Sequence, residues 1–187
     1  MAVPALGEVV PGFEPENEME RRLAADPVLI EGLAWGRPRA SHPEGTVGTH
    51  VSDLLRTIDA WGERQPRRAE LRFLALVHDS LKHRVRRGLP KAGENHHAMR
   101  ARRHAERYTR DERLLSTLEL HDRPYAIWRR TRRSSSRERR ALDKLAGRLP
   151  DPELFMRFVE LDGSTEGKRP EPIAWLREEL RRRKALD

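Results

Sequence analysis

Apolar residues in this chain recur at threes and fours over most of its length, and nowhere in sustained alternation. That spacing lines side chains along one stripe of an α-helix. Residues 1–16 carry Pro4, Pro11, Gly12 and Pro15 and read as an irregular lead-in. A first helix is expected from about Asn17 to a break before Pro27. Asp26-Pro27 then supplies a cap and a first-turn proline for a short helix ending at Gly36. Residues 36–45 read as loop. From Val47, the positions Val51, Leu54, Leu55, Ile58 and Trp61 form one buried stripe, and His50 stands one turn before Leu54 on that face. After the start signal Gln65-Pro66, Leu71, Leu74, Ala75 and His78 share a face, with Asp79 beside them.

Further along, Asn95 is placed to cap a helix carrying His97, Ala101, His104, Ala105 and Tyr108. Thr109 to Glu112 has the spacing of a capping box, and the helix it opens carries Leu114, Leu118 and His121 on one stripe. A basic stretch from Arg129 to Arg140 is interrupted at Ser134-Ser135-Ser136, and Ser135 to Glu138 offers another capping box. Asp151-Pro152 starts a helix through Phe155, Phe158 and Val159 that stops at Gly163, directly after Asp162. A last helix, from about Pro172 to Lys184, buries Ile173, Leu176 and Leu180. The pattern predicts an all-α, single-domain helical bundle over residues 17–187, with about seven helices and no internal repeat.

Composition bounds what such a bundle can do. The 187 residues suit one domain, and a hydrophobic content of 36% leaves little apolar material beyond a core. Lys and Arg number 38 against 30 acidic residues, and the net charge of +8 concentrates anions near the surface. A small anionic phosphorylated substrate is the expected partner. Nucleic acid ranks below it, because Tyr125 and Trp128 are the only aromatics near the arginine-rich stretch. The first ten residues lack a basic leader region, and no stretch approaches the ~20 apolar residues of a membrane span. A soluble cytoplasmic protein without membrane association is expected. The absence of cysteine excludes a disulfide scaffold and a thiolate zinc site.

Imidazoles and carboxylates are the donors that remain, and they suit manganese, iron, cobalt, nickel or zinc. A helix gains nothing by burying an unpaired carboxylate such as Asp79, unless a cation or hydrogen bonds offset the cost. Adjacent His78 and Asp79 diverge by about 100° on a helix and can approach one ion, or bracket two.

The order His50, then His78-Asp79, then distant Asp162, all on helices, resembles the HD-domain superfamily of metal-dependent phosphohydrolases over roughly Ser41 to Trp175. Within it, His78-Asp79-Ser80-Leu81-Lys82 is similar to the His-Asp-x-Gly-Lys signature, with Leu81 where glycine is usual. His97 and His121 resemble the added ligands of members that hold two metals, such as cyclic dinucleotide phosphodiesterases and di-iron oxygenases of the myo-inositol oxygenase kind. The Gly-Tyr-Pro hallmark of the former is absent. The segment from His42 to His50 also resembles the HD region of bacterial tRNA nucleotidyltransferases, without their nucleotidyltransferase head.

The resemblance implies an HD-type bundle that hydrolyses a phosphomonoester or phosphodiester, nucleotides among them, by metal-activated water. One or two divalent transition metal ions would be held by His50, His78, Asp79, His97, His121 and Asp162. Catalytic roles fall to Asp79, which bridges or orients the ions, to Lys82, which neutralises phosphate, and to His104, which shares with Asp122 a candidate proton relay. His96 competes with His97, and Asp122 with Asp162. His42 and His83 are expected to be exposed. Two other classes fit: a di-iron oxygenase using the same ligands on a hydroxylated or phosphonate substrate, and a non-catalytic nucleic-acid binder.

Overall fold

The computed structural model describes residues 4–38, 45–130 and 135–187. His42 and Ser134 lie outside them. The described residues form eleven α-helical segments and two short 3-10 turns, with a single isolated β-bridge between Gly36 and Thr46 and no strand. The helices are α1 (Leu6–Val9), α2 (Glu18–Ala24), α3 (Pro27–Ala34), α4 (Val47–Ala60), α5 (Arg67–Val77) and α6 (His97–Ala105). They continue as α7 (Glu112–Leu120), α8 (Arg123–Trp128), α9 (Ser135–Ala146), α10 (Pro152–Asp162) and α11 (Glu171–Arg182).

The all-α expectation holds, and the count of about seven was low for identifiable reasons. The lead-in is not wholly irregular, because Leu6–Val9 closes one helical turn over the buried side chains of Leu6 and Val10. Pro124 opens α8 straight after α7, over residues for which no helix was expected. Asp26 and Asp151 cap α3 and α10 as expected, each followed by a first-turn proline. Two other caps differ. Asp111, rather than Thr109, accepts from the first turn of α7, while Thr109 Oγ1 accepts from Asp111 N at 3.0 Å. His96 caps α6 through its side chain, whereas Asn95 ties the preceding loop to Arg86 and Pro90.

The core forms where α4, α5, α7 and α10 meet, around the fully buried Val51, Leu54, Ile58, Leu71, Leu74, Leu118 and Phe158. A second cluster, including Leu145, Phe155, Leu176 and Leu180, joins α9, α10 and α11. A buried ion pair ties α2 to α5: both Arg72 Nε and Nη2 bond the Glu20 carboxylate at 2.8 Å. Two glycines permit approaches no other residue would. A Cβ on Gly32 would stand 1.6 Å from the Ser80 carbonyl oxygen, and one on Gly48 would stand 2.1 Å from that of Val9. The first contact presses α3 against the turn that carries Asp79, and the second seats the α4 turn that carries His50. Among the described residues no helix is long and apolar enough to cross a membrane.

Candidate metal centre

Five helices deliver donors to one place. His50 comes from the first turns of α4, His97 from the start of α6, and Asp162 from the last position of α10. His78 and His121 sit at the C-caps of α5 and α7, and Asp79 follows His78. At a helix C-terminus the last carbonyls lack partners within the helix, so a nearby ring N–H can use them. His78 Nδ1 lies 3.0 Å from Ala75 O and His121 Nδ1 lies 2.8 Å from Leu118 O. Each bond requires the proton on Nδ1, which turns Nε2 inward as the donor atom.

The inward atoms fall into two groups, His50, His78 and Asp162 in one and Asp79, His97 and His121 in the other. Within each group the ligand atoms lie within 4.8 Å of one another. His50 Nε2 is 3.0 Å and His78 Nε2 3.7 Å from Asp162 Oδ1. Asp79 joins the groups through its separate oxygens. Its Oδ2 is 3.3 Å from His78 Nε2, while its Oδ1 is 3.5 Å from His97 Nε2 and 3.8 Å from His121 Nε2. Phe158 closes the inner side, edge-on to the rings of His78 and His121.

Two carboxylates and four imidazoles set the electrostatics of the cluster. Burial pushes the Asp79 and Asp162 carboxyls up, but neighbouring positive groups outweigh it and hold both well below the usual carboxylate range. For Asp79 these are chiefly Lys82 and His78; for Asp162 they are the His50 hydrogen bond and Lys168. Burial drives His97 down to about 3 and lowers His121 as well, so both imidazoles are neutral with a lone pair to offer. His78 goes the other way: burial disfavours its charge, yet Asp79 and Asp162 raise it. His78 Nε2 and Asp79 Oδ1 are buried and, among the described residues, have no hydrogen-bond partner. Such atoms cost about 1–3 kcal/mol each when left unsatisfied. Nitrogen and oxygen donors of this kind, converging around orphaned atoms, fit one or two divalent transition metal ions.

Lys82 stands at the edge of the cluster and its Nζ hydrogen-bonds Asp79 Oδ2. His97, not His96, faces Asp79; His96 stacks on it at 4.7 Å and directs Nε2 toward Asp122 Oδ2 at 3.2 Å. Asp122 Oδ2 is also 3.8 Å from His97 Nε2. Asp122 and Asp162 are therefore both present, on opposite sides of the cluster, rather than competing for one position. Burial raises the Asp122 carboxyl, but the His96 hydrogen bond and the surrounding imidazoles bring it down to about 2.

His104 is a correction. It shares the inward stripe of α6 with His97 but lies seven residues on, about 10 Å along the axis. There its Nε2 meets Asp26 Oδ2 at 2.8 Å, beside Tyr108, so it braces α6 against the α3 cap and takes no place in the cluster. His83 differs as well: instead of being exposed, it is half-buried, with Nδ1 3.0 Å from Ser80 O.

Two clefts meet at this cluster. One, of about 580 Å³, is walled by Trp35, Arg37 and Arg87 and reaches His50. The other, of about 500 Å³, runs past His121 and Asp162 to Tyr125, Lys168 and Arg169. Asp79 and Lys82 line both. Trp35, Arg37, Lys168 and Arg169 were not among the expected site residues. The last two had a signal, a basic pair in the glycine-bounded loop that follows Asp162. Compared with known proteins, the chain matches no family model, no curated protein and no solved structure.

Proposed function

We propose that this protein is a metal-dependent phosphohydrolase of HD-domain type, acting on a phosphomonoester or phosphodiester, nucleotides included. One observation carries the reading: a buried Asp79 whose two oxygens face two separate groups of imidazole and carboxylate donors. His50, His78 and Asp162 would hold one ion, His97 and His121 a second, and Asp79 would serve both. Divalent ions bound there supply the Lewis acidity that makes water a nucleophile at neutral pH and offsets charge on phosphoryl oxygens.

The remaining work belongs to the chain's own residues. Lys82, at the junction of both clefts, attracts the ester and orients its phosphate over Asp79. Arg37 and Arg87 in one cleft and Lys168 in the other extend a positive field along the approach. The His96–Asp122 pair positions His97, and Phe158 keeps water from the inner side of the rings. This lining of basic side chains favours an anionic ester over an uncharged substrate.

Elemental analysis of the purified protein, coupled to a hydrolysis screen that reads phosphate from monoesters and alcohol from diesters, nucleotides included, tests the reading. Wild type should carry one or two transition metal ions and hydrolyse at least one of these esters, and His78→Ala and Asp79→Ala should lose both properties. A metal-free, unreactive wild type indistinguishable from the two variants overturns the proposal. Iron content with oxygen uptake and no phosphate release assigns the centre to the oxygenase class instead.

A further inference from the structure

The second cleft continues outward into a feature that hydrolysis alone does not need. Tyr125 and Trp128, one turn apart on α8, stack with ring centroids 6.0 Å apart and planes 25° from parallel. The Arg129 guanidinium lies 5.8 Å from the Tyr125 ring centre, and that of Arg169 lies 5.3 Å from the Trp128 ring centre. These four residues line a notch of about 230 Å³. Tyr125 and Arg169 also line the cleft that contains Asp79, His121 and Asp162, so notch and donor cluster are adjoining parts of one surface.

The arrangement is not what anchors α8. Pro124 is buried and Ile127 packs on the second core cluster, while Tyr125 remains 49% exposed. Arg169 also pairs with Glu171 Oε1 at 3.0 Å while its guanidinium lies over the Trp128 ring. Aromatic faces interleaved with guanidinium planes bind flat, π-faced rings by stacking, with little dependence on ring identity. Between the notch and the cluster, Lys168 lines the same cleft, next in sequence to Arg169. From outside inward the surface therefore offers a ring site, then cationic groups, then the paired carboxylates and imidazoles.

We propose that Tyr125, Trp128 and Arg169 form a base subsite, and that the substrate is a nucleotide whose ring stacks there while its phosphate reaches Lys82 and Asp79. The assignment rests on the phosphohydrolase reading and narrows its substrate class. A sugar phosphate without a base engages only the inner half of the cleft.

The test uses the metal-loaded full chain, with adenosine 5′-monophosphate and ribose 5-phosphate as probes for hydrolysis and for calorimetric binding. Wild type should show the lower KM for the nucleotide. Tyr125→Leu should raise that KM roughly tenfold to a hundredfold, leave kcat near its original value and leave ribose 5-phosphate unaffected. Tyr125→Phe, which keeps the ring, should restore the nucleotide KM. Equal KM values for the two probes, or a Tyr125→Leu effect shared by both, overturn the base subsite while leaving the hydrolase reading intact. If neither ester is hydrolysed but nucleotide binding weakens in Tyr125→Leu and returns in Tyr125→Phe, the subsite holds and the hydrolase reading falls. Absence of both hydrolysis and nucleotide binding removes both.

Discussion

Replacing His97 with alanine separates the two donor groups more cleanly than any other change. Its Nε2 faces Asp79 Oδ1 at 3.5 Å and Asp122 Oδ2 at 3.8 Å, and it takes no part in the group of His50, His78 and Asp162. His97→Ala should therefore lower the metal content from two ions per chain to one. A ligand present at a hundred times its Kd stabilises the folded state by about 2.7 kcal/mol. For a chain of 187 residues that corresponds to about 5–10 °C in Tm per filled site. Wild type should gain both increments on loading with manganese or zinc, and His97→Ala only one. His104→Gln is the matched control: it alters a histidine two turns along the same face of α6, but one bound to Asp26, and it should keep both ions. Inductively coupled plasma mass spectrometry and scanning calorimetry of chelated and reloaded protein measure both quantities. Equal metal content in His97→Ala and wild type, or a His104→Gln variant as depleted as His97→Ala, would refute the two-group reasoning.

Gly32→Ala should destabilise the protein by about 1–3 kcal/mol in urea denaturation, because its Cβ would stand 1.6 Å from Ser80 O and the backbone must shift. The same shift moves Asp79 and should reduce metal content; a variant within 0.5 kcal/mol of wild type, as a rough limit, contradicts this. Acidification of chelated protein should cost stability from about pH 6.5 downward. Burial, opposed by Asp26, leaves His104 below its usual value, so the unfolded chain takes up a proton that the folded chain resists. Asp26 extends the loss below about pH 4, since burial is outweighed there by Tyr108 and His104, which depress its carboxyl. Burial lowers His97 and His121 in the same sense, so His104→Gln should lessen the slope between about pH 5 and 6.5 by the His104 share alone, and an unchanged slope argues against the assignment. Lys82→Met should raise KM for phosphoesters by about tenfold to a hundredfold with metal content retained; an unaltered KM removes Lys82 from phosphate binding.

Much of this chain could be read without coordinates, because helical periodicity and cap chemistry are local. The stripe from Val51 to Ile58 and the Asp-Pro starts of α3 and α10 are legible from neighbours three and four residues away, and the structure places them as expected. That His50, His78 and His121 point inward follows from the same periodicity, and all three are buried. The failures are also instructive. His97 and His104 carry the same signal, two turns apart on one face, yet one meets Asp79 and the other Asp26. Periodicity reports which face is inward but not what stands opposite.

What the sequence determined, then, was the inventory of donors, the face on which each lies and an all-helical frame to carry them. Tertiary packing decided the rest: that Asp79 offers its two oxygens to different groups, that Asp122 and Asp162 both attend the cluster, and that Tyr125 and Arg169 border its cleft. Those relations join residues from helices far apart in the chain. They depend on close approaches such as that of Gly32 to Ser80, which set helix against helix through contacts no local pattern encodes.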